Sequence, residues 1–301
     1  MKPTTAVVLS IFTVTCLVAG AGIYLSSKKK GEYPPTSENA LEGGGREAQM
    51  PIPPSVEKLV ADRKVSEGVV HPQIGRAFSI SRSGPMRPPG NALDYVQSLI
   101  PASQSGDAAA TYDIFTATLD CQNEFRNSGV MYQEIATNDS KVIPRDSSED
   151  SRKNLLDCEG LLSSEELEKT NWLEKAAQQG SLEAMLMYSV NPDHILGDPR
   201  EYALKPELVQ KWKDDSMNYL NKAASLGSTD ALYSLSDVFE QGVVAPQDPV
   251  EAYAYQLAAR RVSISTNGQR TLPEPKTKLT NSQIQQATTR SDQIIKSCCM
   301  N

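Results

Sequence analysis

The chain is short of the residues that most enzymes rely on. Its 301 residues include only two histidines. His71 precedes a proline in a proline-rich stretch, and His194 lies in a segment broken by Pro192 and Pro199. Cys158 with His194 as nucleophile and base has no local motif behind it. No glycine-rich phosphate loop of the Walker or Rossmann kind occurs, and Gly43-Gly44-Gly45, with no strand before it, reads as spacer. No Cys-x-x-Cys spacing marks a zinc site. Positive charge is in deficit. A net charge of −7 argues against a nucleic-acid partner, whose phosphates demand basic patches. The acidic pairs Glu165-Glu166 and Asp214-Asp215 read as solvated helix faces rather than catalytic carboxylates. Aromatics are only 6% and alternating apolar–polar runs are few, which predicts a helical body. These absences leave no catalytic, cofactor-binding or metal-ligating residue to assign, and the chain reads as a non-enzyme.

What the sequence does contain is an internal copy. Trp172 to Gly180 is WLEKAAQQG, and Tyr219 to Gly227 is YLNKAASLG. An aromatic-Leu-x-Lys-Ala-Ala-x-x-Gly string thus aligns Trp172, Leu173, Ala176, Ala177 and Gly180 with Tyr219, Leu220, Ala223, Ala224 and Gly227. Each glycine is followed four positions on by an alanine, Ala184 and Ala231, and Gly106 to Ala110 repeats that spacing. Glycine tolerates the left-handed residue that ends a helix, and Ser181 or Ser228 can cap the next one. The small residues let paired helices approach closely. One pair cannot bury its apolar stripe, so pairs must stack.

Ala223-Ala224-x-x-Gly227-x-x-x-Ala231, followed by Leu235, Phe239, Gly242, Asp248, Ala252 and Tyr255-Gln256-Leu257-Ala258-Ala259, resembles one full Sel-one-like repeat, of the tetratricopeptide-related kind. Trp172 to Tyr188 resembles a second half-unit, and Gly106 to Phe115 a weaker first one. Ser236 and Val244 stand where that family usually has glycine, and Ala254 where it usually has tryptophan. The offset between copies exceeds the family's usual length, which predicts a surface insertion. The resemblance implies an all-α fold, a short α/α solenoid that binds other proteins, with no catalytic residues to carry over.

The ends are different in kind. Residues 6–25 run for twenty positions without a charge, about 30 Å as a helix, enough to match a bilayer core. The stretch continues past the small-residue site Ala19-Gly20-Ala21 and stops at Lys28-Lys29-Lys30, which favours a retained anchor over a cleaved signal. Residues 1–30 are therefore read as a signal-anchor. Residues 31–90, rich in Pro-Pro and Gly, are read as a disordered linker, with a short helix over Ser55 to Gly68 as one option. Residues 91–301 are read as the helical-repeat domain. Within it, Asn91, Asp248-Pro249 and Thr280-x-x-Gln283 are start signals, and Pro206 fits a first helical turn. Ser163-x-x-Glu166 is read as a capping box opening the helix that ends at Gly180. Asp107 to Phe125 is read as a helix with Ala108, Tyr112, Phe115 and Leu119 as its apolar stripe. The segments 127–151 and 191–205 are expected as loops.

Four cysteines fall in the body. Cys121 and Cys158 flank the long loop, and a bridge between them would stabilise by about 4 kcal/mol on the chain-entropy model. Two buried thiols and a four-cysteine metal site are the competing readings. Cys298 and Cys299 stay unassigned. The combined expectation is a bacterial inner-membrane, single-pass protein with its body in the periplasm that binds another protein. A cleaved, soluble periplasmic form and a cytoplasmic body are the other arrangements. Trp212, Tyr202 and Lys211 are expected as contact residues, Trp212 alternatively as core. The rival function is an envelope hydrolase using the loops 127–151 and 191–205.

Overall fold

The computed structural model describes residues 56–128, 149–264 and 273–300. Their regular structure is helical apart from one two-stranded antiparallel hairpin, β1 (Val70–Pro72) and β2 (Phe78–Ile80). Residues 6–25 lie outside the described residues; among those described, no helix is long and apolar enough to cross a membrane.

Three helical hairpins build the body. α2 (Ala92–Gln104) turns into α3 (Ala108–Ser128); after α4 (Glu149–Leu162) and the single turn α5 (Glu165–Glu168) come α6 (Trp172–Gln179) and α7 (Leu182–Tyr188). After the short α8 (Pro192–Leu196) and a 3₁₀ turn (Pro199–Leu204) come α9 (Pro206–Ser225) and α10 (Thr229–Gln241). The three turns have one design. Gly106, Gly180 and Gly227 are left-handed, with φ of 94°, 99° and 103°. The next residue caps the following helix: Asp107 Oδ1 accepts from the Ala110 amide at 2.9 Å, Ser181 Oγ from Ala184 and Ser228 Oγ from Ala231, both at 3.2 Å. Those alanines are buried, as the tight crossing requires. The matching nonapeptides therefore occupy equivalent places, each ending the first helix of a hairpin.

Neighbouring hairpins lean on one another, α3 against α6 and α7 against α9, and α10 packs on α11 (Pro249–Val262). Leu173, Ala176, Ala177, Leu220, Ala223, Ala224, Leu235, Ala252, Ala258 and Ala259 are all buried at these contacts. α11 starts at its Asp248 cap and ends beside the hairpin turns. The connection to α12 (Asn281–Cys298) goes back to the opposite edge, where Lys276 reaches Asp237 at 2.8 Å and Thr277 reaches Glu240 at 3.0 Å near the C-terminal end of α10. α12, opened by a complete capping box at Thr280 and Gln283, therefore runs in the same sense as α11 and covers the end of the stack.

Two expectations are corrected. The linker expected over 31–90 is folded from Val56 onward, and the body does not begin at Asn91. α1 (Val56–Ala61) buries Leu59, and the strap that follows buries Val65, Val69, Ala77 and Phe78. The strap runs along the turn edge. Arg63 C=O accepts from the Ala109 amide, Lys64 C=O from Leu182, and the Phe78 amide donates to Gly227 C=O at 3.0 Å. Prolines and glycines there do not prevent order, because the partner groups are the unpaired amides and carbonyls of helix ends. The second correction concerns the helix expected from Ser163 to Gly180. It breaks after Glu168; Ser164 makes no side-chain cap, and Asn171 caps α6 by accepting from the Glu174 amide at 3.1 Å.

Candidate functional site

A cleft of about 230 Å³ opens between the first two hairpins. Its floor is apolar: Phe115 and Leu119 come from α3, Leu161 from α4, Leu167 from α5, Trp172 and Leu173 from α6. Gln122, Lys169, Thr170 and His194 stand at its rim. Local chemistry fixes these walls. Trp172 donates its indole N–H to Leu167 C=O at 2.9 Å, which pins α5 to the start of α6. Asn171 donates to His194 C=O at 2.9 Å, which holds α8 over the same place. The His194 ring meets Phe115 edge-on at 5.3 Å. Burial lowers the imidazole pKa, with the Arg126 cation adding to that and Asp193 opposing it, so the ring is neutral at pH 7.

The cleft contains no assembled catalytic group among the described residues. No hydrogen bond joins the His194 ring to a serine, cysteine or carboxylate there. Cys158 is bonded to Cys121 and is no thiol, so a Cys158–His194 couple does not form. Arg87 covers that disulfide, with Nη2 3.4 Å from Cys158 Sγ and Nε 3.2 Å from Asp120.

A second polar cluster lies between α6 and α9. Lys211 Nζ donates to Glu174 Oε1 at 3.0 Å and to Asp215 Oδ2 at 2.7 Å. Those hydrogen bonds raise the Lys211 pKa and keep it charged. Tyr188 OH reaches Asp215 at 3.4 Å and its ring packs edge-on against Tyr219. Of the expected contact residues, Lys211 is exposed in this cluster. Tyr202 is half-buried, and its OH is spent on Asp193 at 2.5 Å. Trp212 is buried in the core. The expected loop 191–205 does supply His194 to the cleft, whereas 129–148 lies outside the described residues. Phe115 and Leu119 were legible as the apolar stripe of α3. That Leu167 and His194 would meet them was not, because nothing local encodes the break at α5.

The fold thus defines a stack of α-hairpins with a helical C-terminal cover, the architecture of a helical-repeat protein. No family model matches the chain and no curated protein matches it. Among solved structures it is similar to c5321, a protective antigen present in uropathogenic Escherichia coli strains and described as displaying an SLR fold, at 19% identity and a TM-score of 0.33. The match covers 70% of this chain and 46% of that one.

Proposed function

We propose that this protein is a non-catalytic scaffold of Sel-one-like helical hairpins that binds another protein. The carrying observation is the apolar cleft between the first two hairpins, walled by Phe115, Leu119 and Trp172 and carrying a neutral His194 at its rim. Such a site takes an apolar side chain of a partner and orients it with a few polar groups. The charged α6–α9 cluster around Lys211 is a polar surface on the neighbouring hairpin. Residues 6–25 tether the body to an inner membrane, with the body in the periplasm. Two disulfides support an oxidising compartment.

The test is affinity capture from membranes with the full chain and with Leu119→Gln. The scaffold reading expects a discrete protein retained by the parent and lost in the variant, with helical circular dichroism unchanged. Equal retention by both would remove the cleft from the account.

A second reading, a hydrolase, is favoured by one observation: His194 and Glu168 line the same cleft. It expects a purified protein with esterase or amidase turnover that His194→Ala abolishes.

A further inference from the structure

The strap that follows α1 touches each hairpin turn in order, and it meets the last two helices at an unusual place. Arg63 Nε pairs with Asp107 at 3.0 Å on the first turn, and the Ser66 amide donates to buried Glu183 at 2.9 Å on the second. Phe78 and Ile80 bind the third, the Ile80 amide donating to Asp230 at 2.7 Å. Between these, Ile74 donates its amide to Val262 C=O at 2.9 Å, and Arg76 donates to Cys299 C=O at 2.8 Å. Cys299 is bonded to its neighbour Cys298, and both are buried. Gly75, with φ of +66°, approaches so closely that a Cβ placed on it would lie 2.3 Å from the Cys299 oxygen. The adjacent cysteines therefore lie at the strap's docking point.

We propose that Cys298–Cys299 is a redox-sensitive clasp. The oxidised pair holds the strap on α12, and the docked strap shields the disulfide. A bond between sequence neighbours closes a small ring through the intervening peptide, which restricts the φ of Cys299 and so the place from which its carbonyl leaves the ring toward Arg76. With two thiols that torsion is released, and the Cys299 carbonyl can swing away from Arg76. Opening is ordinary exchange with a dithiol. One thiolate of the dithiol attacks a cysteine sulfur, the S–S bond breaks, and the second thiolate displaces the mixed disulfide. The dithiol leaves oxidised, and Cys298 and Cys299 each take up one proton. Coupling is reciprocal: by whatever factor the disulfide favours docking, docking favours the disulfide. The clasp therefore sets how firmly residues 74–76 of the strap are held on the end of α12. The inference does not depend on the partner or on the cleft.

The experiment treats the full chain with dithiothreitol, quenches it at intervals by alkylation, and maps peptides so that Cys298–Cys299 is scored apart from Cys121–Cys158. The clasp predicts reduction about 100-fold slower than in a free peptide of residues 281–300, because only locally opened molecules react. Gly75→Ala, which cannot dock without a clash, should accelerate it about tenfold. In Cys298→Ser/Cys299→Ser, without reductant, amide exchange at Ile74 and Arg76 should rise about tenfold while α6 and α7 stay protected. Reduction as fast as in the peptide, or unchanged exchange at Arg76 in the double variant, overturns the proposal. If Gly75→Ala does not fold, the peptide comparison and the double variant still decide.

Discussion

Trp212 donates its indole N–H to the carbonyl of Tyr188 at 3.0 Å. Tyr188 is the last residue of α7, so that carbonyl is one of the four left unpaired by the helix. Trp212 is a strut that caps one hairpin from inside the next. Trp212→Phe removes the cap and should cost about 1 kcal/mol; Trp212→Ala also leaves a cavity and should cost about 3–5 kcal/mol. Urea unfolding of the two variants, compared with the parent, measures both.

The three turn glycines should not be equivalent when changed to alanine. All three carry the left-handed cost of about 1–2 kcal/mol. At Gly106 an added Cβ meets nothing within 4 Å, and at Gly180 only the flexible Lys64 side chain at 3.4 Å. At Gly227 it would lie 2.7 Å from Arg76 C=O, a backbone atom of the strap. Gly227→Ala should therefore be the most damaging of the series, and Gly106→Ala the mildest. Denaturation midpoints of the three variants give the order directly.

Removing the Cys121–Cys158 bridge should destabilise by about 4 kcal/mol, because it frees a loop of 37 residues in the unfolded chain. Cys121→Ala/Cys158→Ala also exposes the pocket of Arg87 that covers the sulfurs. The expected reading is a lowered melting temperature with helix content retained. An unchanged melting temperature would contradict the bridge.

Stability should fall on mild acidification through His194. Its folded pKa lies below the ordinary value of 6.5, so the unfolded chain takes up a proton first as pH drops. The contribution is complete above pH 6.5 and is lost as pH falls from there toward the folded pKa. Arg126 of α3, Asp193 of α8 and the rim residues Glu168 and Lys169 are the charges near it. Urea midpoints at pH 7.5 and pH 5.5 should differ less in His194→Gln than in the parent.

Much of this architecture was legible because its signals are local. The glycine, cap and small-residue pattern at Gly180 and Gly227 specifies a hairpin without reference to anything distant, and so does the Thr280–Gln283 box. The Cys121–Cys158 bridge was one of several readings, and the fold places those two residues together. The strap was not legible. Residues 62–82 carry little periodicity of their own, and their order comes from groups far along the chain, such as Leu182, Gly227 and Cys299. For the same reason the prolines and glycines before Asn91 read as spacer. The cleft was half-visible: its apolar floor follows from the α3 stripe, but its rim depends on the break between α5 and α6 and on where α8 comes to rest.

The most direct measurement is site-specific photo-crosslinking in native membranes, with the reactive group at Lys169 on the cleft rim or at exposed Thr288 on α12. A protein-binding cleft predicts one discrete adduct from Lys169, abolished by Leu119→Gln, and none from Thr288. Equal adducts from both positions, or an adduct at Lys169 indifferent to Leu119→Gln, would contradict it.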